Sequence, residues 1–488
     1  MQFPLASIIG ALERAGLLEG VRGEIPDSFE VISDDSRQVV PGALFIAVRG
    51  SVRDGHDYLE NATKLGAAAA MVEDPSRTNL PVIIVREGRK AAAIAAGAAY
   101  GDPSRELRMI GITGTNGKST TAGILRHILD HPGARAASIG TLGVLLGTEA
   151  EVVPGGAELT TPGPVELQRI LRELVDRGAK TVAMEVSSHS LDQRRIDGLS
   201  FDAAVFTNLT RDHLDYHLTM DAYFEAKARL MDYLKPDGAA VINVDDSNWG
   251  RLPDSRRKIF FGVSARADVR ATEVKFFPSG SEWNLTHDGN SVHVTLPLIG
   301  DVNVHNALAA AAVGIKVGLS LEKIASALVD LPQVPGRLEV ISRDPTVLRD
   351  YAHTPDAIER SLAAIRPFTA GRIILVFGSG GDRDRGKRPE MGKAAEAGAD
   401  VVIITTDNPR TEDPNQILDD IEKGMTPGRH ERILKRKSAI HRALTEAHQG
   451  DVVLLAGKGH ETYQIIGTTK VPFDEKMIVR ELLAGTPA

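Results

Sequence analysis

Ile110-Gly-Ile-Thr-Gly-Thr-Asn-Gly-Lys-Ser-Thr120 is the stretch on which the fold reading turns. It begins in an apolar run, Leu107 to Ile112, that suits a short buried strand. Gly114 and Gly117 then make a glycine-rich turn, and Lys118-Ser119-Thr120 opens a helix. Backbone N–H groups in such a turn close around phosphate oxygens, and a helix N-terminus adds partial positive charge. A lysine there reaches the β/γ-phosphates, and a hydroxyl can bind Mg²⁺. ATP or GTP is the expected ligand. Five residues separate Gly111 from Gly117, so the spacing departs from a strict Walker A loop. Strand before and helix after are what separate this loop from an ordinary turn.

Working outward, a chain of 488 residues suggests about three domains. The absence of cysteine excludes disulfides, thiolate metal sites and cysteine nucleophiles. Met1-Gln-Phe-Pro-Leu5 lacks a basic segment followed by an apolar one. No apolar run reaches the ~18 residues of a membrane span. A cytoplasmic protein is therefore expected. The formal charge of −8 argues against a general nucleic-acid binder.

Three regions differ in texture, with boundaries read as 1–103, 104–332 and 333–488. The first mixes short strands (Ala43 to Val48) with alanine-rich helices (Ala91 to Tyr100), and Gly101-Asp-Pro-Ser104 links it onward. In the second, the buried-type strands Leu107–Ile112, Thr181–Val186, Ala203–Thr207 and Ala239–Val244 alternate with helices. This implies a mostly parallel sheet with helices on both faces. Residues 270–298 alternate instead, as an antiparallel excursion would. Leu331-Pro-Gln-Val-Pro-Gly336 is the second linker. Beyond it, Ile373–Phe377, Val401–Thr405 and Val452–Leu455 each run into a Gly- or Asp-bearing loop, where ligands of α/β sheets sit.

Several side chains stand where chemistry is expected. Glu185 ends an apolar strand, the place of a Mg²⁺-directed acid. Asp212, His213, Asp215 and His217 crowd six positions, which suggests a second cation site. Asp221 can cap a helix running to about Leu234. Tyr223, Phe224, Leu230, Met231 and Leu234 form its apolar stripe, and Lys227 falls in the middle. Either Lys227 snorkels to solvent, or its ammonium is turned inward and disfavoured by desolvation. A neutral amine can take up CO₂ as a carbamate, an anion able to bind Mg²⁺. Asn306, before an alanine-rich helix, is either a cap or a partner for an adenine edge. Arg337 and His353 could meet phosphates from the opposite side, and Asp350 could hold a ribose hydroxyl. The basic loop Gly380–Arg388, Asp407-Asn-Pro-Arg410 and Gly457-Lys-Gly-His-Glu461 suit a small zwitterion with carboxylate and ammonium groups. From spacing alone, a phosphoryl-transfer enzyme and a non-catalytic nucleotide-binding protein both stay open.

Taken jointly, these stretches resemble the Mur ligase family, in the branch that adds the third residue of the bacterial peptidoglycan stem peptide. The motifs that carry the resemblance are Asp35-Ser-Arg37, Thr113-Gly-Thr-Asn-Gly-Lys118, Thr160-Thr-Pro162, Glu185-Val-Ser-Ser-His189, Asp212-His-Leu-Asp215, Lys227, Tyr351-Ala-His-Thr-Pro355, Asp407-Asn-Pro-Arg410 and Gly457-Lys-Gly-His-Glu461. Their order spans nearly the whole chain. In that family Asp-Asn-Pro-Arg marks enzymes that select meso-diaminopimelate, and lysine-adding members lack the arginine. Gly163 follows Thr160-Thr-Pro162 where many members carry Asp.

The resemblance implies an α/β protein of three domains. These are an N-terminal UDP-binding domain, a central P-loop mononucleotide-binding domain with a parallel sheet, and a C-terminal Rossmann-like domain. It implies ATP as co-substrate, Mg²⁺, a carboxylated Lys227, and UDP-MurNAc-L-Ala-D-Glu and meso-diaminopimelate as the other substrates. A monomer is expected. Gly114, Thr115, Asn116, Gly117, Lys118, Ser119 and Thr120 would hold ATP phosphates, and Asn306, Arg337, Asp350 and His353 the rest of the nucleotide. Ser119, Glu185, His213 and carboxylated Lys227 would organise Mg²⁺, with Lys118, Glu185, His213 and Lys227 as the catalytic set. Ser36, Thr160, Thr161, Ser187, Gln193 and Arg195 would contact the UDP-linked substrate. Arg383, Asp407, Asn408, Arg410, Gly457 and Glu461 would hold diaminopimelate.

Overall fold

The strand Arg108–Thr113 is buried along all but its first residue and lies in the interior of an 11-stranded sheet, fifth from one edge. In this computed structural model, residues 2–50, 53–156, 159–254 and 256–485 are described, so Met1 of the N-terminal stretch lies outside them. Arg108–Thr113 pairs in parallel with Ala179–Glu185 on one side and Phe201–Phe206 on the other. The register sets Ile112 beside Glu185 and Thr113 beside Phe206, so three strands end at one level. Gly111 has no side chain because its neighbours leave no room. A Cβ there would stand 3.1 Å from the Phe201 ring.

The sheet continues in parallel through Leu234–Asn243 and Arg257–Gly262 to Val269–Phe277. Val269–Phe277, Gly280–His287 and Asn290–Leu296 then pair antiparallel, as the alternating pattern over 270–298 predicts. Helices Lys118–Leu129 and Asp301–Lys316 pack together over one face. The alanines of the second let the two backbones approach closely, and Ile124 and Leu125 of the first are fully buried. Each such side chain stabilises the fold by about 1.5–3 kcal/mol relative to exposure.

The N-terminal region is a five-stranded sheet in the order Leu18–Arg22, Val82–Val85, Ala69–Val72, Leu44–Ile46, Ile32–Ser33, antiparallel only at its first pair. Its helix Gly88–Ala99 packs on the central helix Pro164–Asp176. The C-terminal region is a six-stranded sheet in the order Glu339–Arg343, Thr346–Asp350, Val452–Ala456, Ile373–Phe377, Val401–Ile404, Glu431–Arg432. It is parallel except at its first pair. Among the described residues no helix is long and apolar enough to cross a membrane.

Two local expectations are corrected. The helix carrying Lys227 is Met220–Ala228, capped by the Thr219 hydroxyl, which accepts from the Ala222 N–H. Asp221 instead pairs with Arg251 at 2.9 Å. Beyond Ala228 the backbone tightens into a 3₁₀ turn, Arg229–Tyr233, so the α-helix ends short of Leu234. Asn306 is no cap either. It lies in the second turn of Asp301–Lys316, whose N-terminal flank is Gly300 at φ 92°.

Candidate active site

The loop after Arg108–Thr113 is braced by the loop after Phe201–Phe206. Thr115 N–H donates to the Asn208 carbonyl at 2.7 Å, and Asn116 N–H donates to Asn208 Oδ1 at 2.9 Å. Gly117 has φ 86°, and a Cβ there would collide with Asn306 Oδ1. Asn306 is buried, donates from Nδ2 to Asn303 Oδ1 at 3.0 Å and accepts from Thr121 at 3.4 Å, so it forms the floor of the loop. Lys118 Nζ donates to the carbonyls of Gly114 and Thr115 at 2.9 and 2.8 Å. Burial holds its pKa below the ordinary lysine value, although Glu185 and Asp212 favour its charge.

Lys227 is turned inward and 1% exposed, which excludes snorkelling. Its Nζ donates to the Gly114 carbonyl at 2.7 Å and lies 4.5 Å from the centre of the Tyr223 ring. Burial, with the Lys118 charge beside it, drives its pKa well below the ordinary lysine value. The amine is therefore disposed to lose its proton.

Glu185 is buried and held by a residue without a sequence signal. Thr141 donates to it from N–H at 2.9 Å and from Oγ1 at 3.2 Å. His213 sits at φ 54°, and its ring lies 4.8 Å from that of His189. Enclosure in the cleft pulls its pKa down to about 4, against the attraction of Asp212. The neutral imidazole is thus available as a ligand. His217 is different: it is buried with Nε2 2.9 Å from Ser188 Oγ, a satisfied core histidine. Among the described residues no three His, Asp or Glu side chains gather as a metal cluster. Of the 212–217 stretch, Asp212 and His213 line both cavities described below, Asp215 lines the second, and only His217 is turned into the core.

A cavity of about 620 Å³ runs between the central and C-terminal sheets. Residues 115–120 of the phosphate loop, Thr160, Glu185, His213, Asn306, Arg337, Asp350 and His353 all line it. Arg337 reaches across to Ser119 Oγ at 3.1 Å and stacks 4.7 Å over the Tyr351 ring. Asp350 accepts from Leu338 N–H at 2.7 Å and Ser361 Oγ at 3.1 Å, and burial raises its pKa. His353 Nδ1 lies 2.8 Å from the Tyr351 carbonyl, and burial lowers its pKa.

A second cavity, of about 580 Å³, shares Asp212, His213, Tyr351, His353 and Thr354 with the first. Arg383, Asp407, Asn408, Arg410, Gly457 and Glu461 all line it. They come from loops after three neighbouring C-terminal strands.

Three family models match in order along the chain. They are the Mur ligase family catalytic domain over residues 28–102, the Mur ligase middle domain over 112–314, and the Mur ligase glutamate ligase domain over 336–459. A UDP-N-acetylmuramoyl-L-alanyl-D-glutamate--2,6-diaminopimelate ligase of Geobacillus thermodenitrificans is 43% identical over 471 residues, covering 94% of this chain and 95% of that protein. The chain belongs to the Mur ligase family. A relative of the same name from Geobacter metallireducens is 45% identical over 483 residues, covering 93% of this chain and 94% of its own. A solved structure of a ligase of that name aligns with TM-score 0.67 and 33% identity over 99% of both chains. The MurF ligase of Thermotoga maritima, solved in complex with ADP, shares the fold at 20% identity and TM-score 0.65, over 93% of this chain and 97% of its own.

In this Mur ligase the remaining expected residues fall outside the two cavity walls. Thr161 Oγ1 donates to the Glu185 carbonyl at 2.9 Å and accepts from Ser187 N–H at 3.1 Å. Arg195 donates to the Thr161 carbonyl at 2.9 Å and to Gln193 Oε1 at 2.6 Å. These four make one network beside Thr160. Ser36 is buried in the N-terminal sheet region, apart from both cavities. Asp356 was not legible in advance. It accepts from Asn116 Nδ2 at 3.1 Å and Thr210 Oγ1 at 2.9 Å, tying the C-terminal domain to the phosphate loop.

Proposed function

We propose that this Mur ligase uses ATP to join meso-diaminopimelate to the D-Glu γ-carboxylate of UDP-MurNAc-L-Ala-D-Glu, a cytoplasmic step of peptidoglycan precursor synthesis. The observation that carries this reading is the continuity of the two cavities. A phosphate loop and a six-residue zwitterion pocket share the wall formed by Asp212, His213, Tyr351, His353 and Thr354. The names of its relatives point the same way.

A carboxylate does not accept an amine directly at neutral pH. ATP first gives its γ-phosphoryl to the carboxylate, forming an acyl phosphate and ADP. The diaminopimelate amine then attacks, and the tetrahedral intermediate expels phosphate as the amide forms. Lys118, Arg337 and the loop N–H groups hold the phosphates and spread their charge. Thr160, Thr161, Ser187, Gln193 and Arg195 hold the acceptor carboxylate's side of the substrate, and Ser36 lies towards its UDP end. Asn306, Asp350 and His353 take the nucleoside side. Asp407, Asn408, Gly457 and Glu461 hold the reacting amino acid's ammonium and near carboxylate. Arg383 and Arg410 take its distal carboxylate.

Ser119, Glu185 and His213 line one cavity and would hold Mg²⁺ there, which supplies charge neutralisation to the phosphates when bound. Lys227, bonded behind the phosphate loop to the Gly114 carbonyl, would join them as a carbamate: its neutral amine attacks CO₂, an N–C bond forms as one C–O π bond opens to the carboxylate, and one proton is released to solvent. Domain limits at 103/104 and 332/333 and a monomeric state belong to the same reading, supported by the three separate sheets and by the lining of both cavities from one chain.

The test is ADP release with UDP-MurNAc-L-Ala-D-Glu present, comparing meso-diaminopimelate, L-lysine and no amine. Release with diaminopimelate alone is expected. Amine-independent or absent release would overturn the ligase reading.

A further inference from the structure

Lys458 is fully buried and does not line the amino-acid cavity, yet it touches residues that do. Its Nζ donates to Asn408 Oδ1 at 3.1 Å and to Glu461 Oε2 at 3.1 Å, and lies 3.9 Å from Asp407 Oδ1. A buried ammonium is tolerated only when oxygens and carboxylates close around it. Here those oxygens belong to three of the six pocket residues.

The contact orients Asn408. Its Oδ1 accepts from both Lys458 Nζ and Ile465 N–H, the latter at 3.0 Å, so its Nδ2 is left to donate to Glu461 Oε2 at 2.8 Å. From Ile465 the network runs on through the hairpin Tyr463–Ile466 and Thr469–Pro472. Arg410 N–H donates to the Ile465 carbonyl at 3.0 Å, and Gly467 N–H donates to the Arg410 carbonyl at 2.8 Å. Gln464 Nε2 donates to the Asp407 carbonyl at 2.8 Å. Arg410 has φ 52°, a left-handed conformation that is unfavourable for a non-glycine residue. The two hairpin bonds hold it there, and its guanidinium donates to the Gly381 carbonyl at 2.8 Å.

We infer that Lys458 is a positioning residue for the amino-acid substrate. It locks Asn408 and Glu461 directly and, through Asn408 and the 463–472 hairpin, sets the backbone that aims Arg410. Selectivity for a substrate with a second carboxylate then depends on a lysine that never meets that substrate. The inference rests on the function proposed above and deepens it.

The test compares wild type with Lys458→Met, which keeps the side chain's bulk and removes its charge. Steady-state ADP release is measured while varying each substrate in turn, with L-lysine as the competing amine. Expected for the variant is a rise of about tenfold or more in KM for diaminopimelate and a similar fall in preference over lysine. KM for ATP and for the UDP-linked substrate should stay within about threefold of wild type. Glu461→Gln and the double variant close the cycle, and the double variant should lose little more than Glu461→Gln alone. If Lys458→Met does not fold, Lys458→Gln, which still donates one bond, carries the same measurement. An unchanged KM and preference for diaminopimelate in a folded variant overturns the inference. So does an equal rise in all three KM values, which marks a general loss of structure. Absence of amine-dependent release by the wild type instead overturns the ligase reading itself.

Discussion

Lys118 and Lys227 donate to the same oxygen, the Gly114 carbonyl, at 2.9 and 2.7 Å. Two buried ammoniums on one acceptor repel each other, and the carboxylates nearby do not support them equally. Glu185 and Asp212 support the charge of Lys118. Lys227 has Asp212 alone to offset burial and the Lys118 charge. The imbalance favours charge on Lys118 over charge on Lys227. Lys227→Ala should lower kcat by about 100-fold or more. Added short carboxylic acids should restore part of it by standing in for the carbamate. Wild-type activity in the variant would remove the carbamate from the mechanism.

Gly117 and Gly133 share φ 86°, but their surroundings differ. A Cβ at Gly117 would collide with Asn306, whereas nothing lies within 4 Å of one at Gly133. Gly133→Ala should cost about 1–2 kcal/mol of backbone strain and leave ADP binding intact. Gly117→Ala should abolish ADP binding as well. Calorimetric titration of both variants with ADP checks the contrast, and equal affinities would show that Asn306 yields freely.

Arg410→Ala should reduce the preference for diaminopimelate over lysine by about 100-fold, since lysine leaves the wild-type guanidinium unpaired and the variant has none to leave. Competition between the two amines in one assay measures it. An unchanged ratio would assign the distal carboxylate to another group, with Arg383 the next candidate.

Asp356 carries two bonds between the C-terminal domain and the phosphate-loop side. Asp356→Ala should lower kcat about tenfold with little change in ADP affinity, because closure protects the acyl phosphate from water. A parallel rise in amine-independent ADP release would accompany that loss. Wild-type kcat with no such leak would mean that closure rests on other contacts.

His305 and Asp245 form a pair on the wall of the first cavity, Nε2 to Oδ2 at 3.1 Å. The hydrogen bond from His305 lowers the Asp245 pKa. Burial pulls His305 down, but Asp245 and the Asp301 carbonyl outweigh it and raise its pKa. The histidine's contribution to stability is complete below its ordinary value near ~6.5 and is lost as pH rises through the higher folded value. The carboxylate's contribution is complete above its ordinary value near ~3.9 and is lost as pH falls through the lower folded value. His305→Gln should therefore cost about 1–3 kcal/mol below the ordinary histidine value, and less at an alkaline pH above the raised folded value. Thermal unfolding of both proteins at the two pH values checks this, and a pH-independent difference would contradict it.

The phosphate loop, the principal strands and the three α/β units are legible in the sequence because local patterns specify them. A buried parallel strand needs a run of apolar residues, and a phosphate turn needs its glycines, whoever their neighbours are. Glu185 and the three loops that line the second cavity were readable from strand-end position, while the six residues within those loops were singled out through the family resemblance. Other features needed the folded chain. Lys227 could have snorkelled or turned inward, and only packing against Tyr223 and Gly114 decides. Thr141 is 44 positions from Glu185, Asp356 is 240 from Asn116, and Lys458 is 50 from Asn408. No local period links residues so far apart. Parallel register aligns the strand ends, and closure of one sheet against the next then brings their loops within hydrogen-bond reach. Sequence by itself thus determined which groups could carry phosphate and amino-acid chemistry. The tertiary structure decided which of them meet, because burial and the partners that offset it exist only once the three sheets have packed.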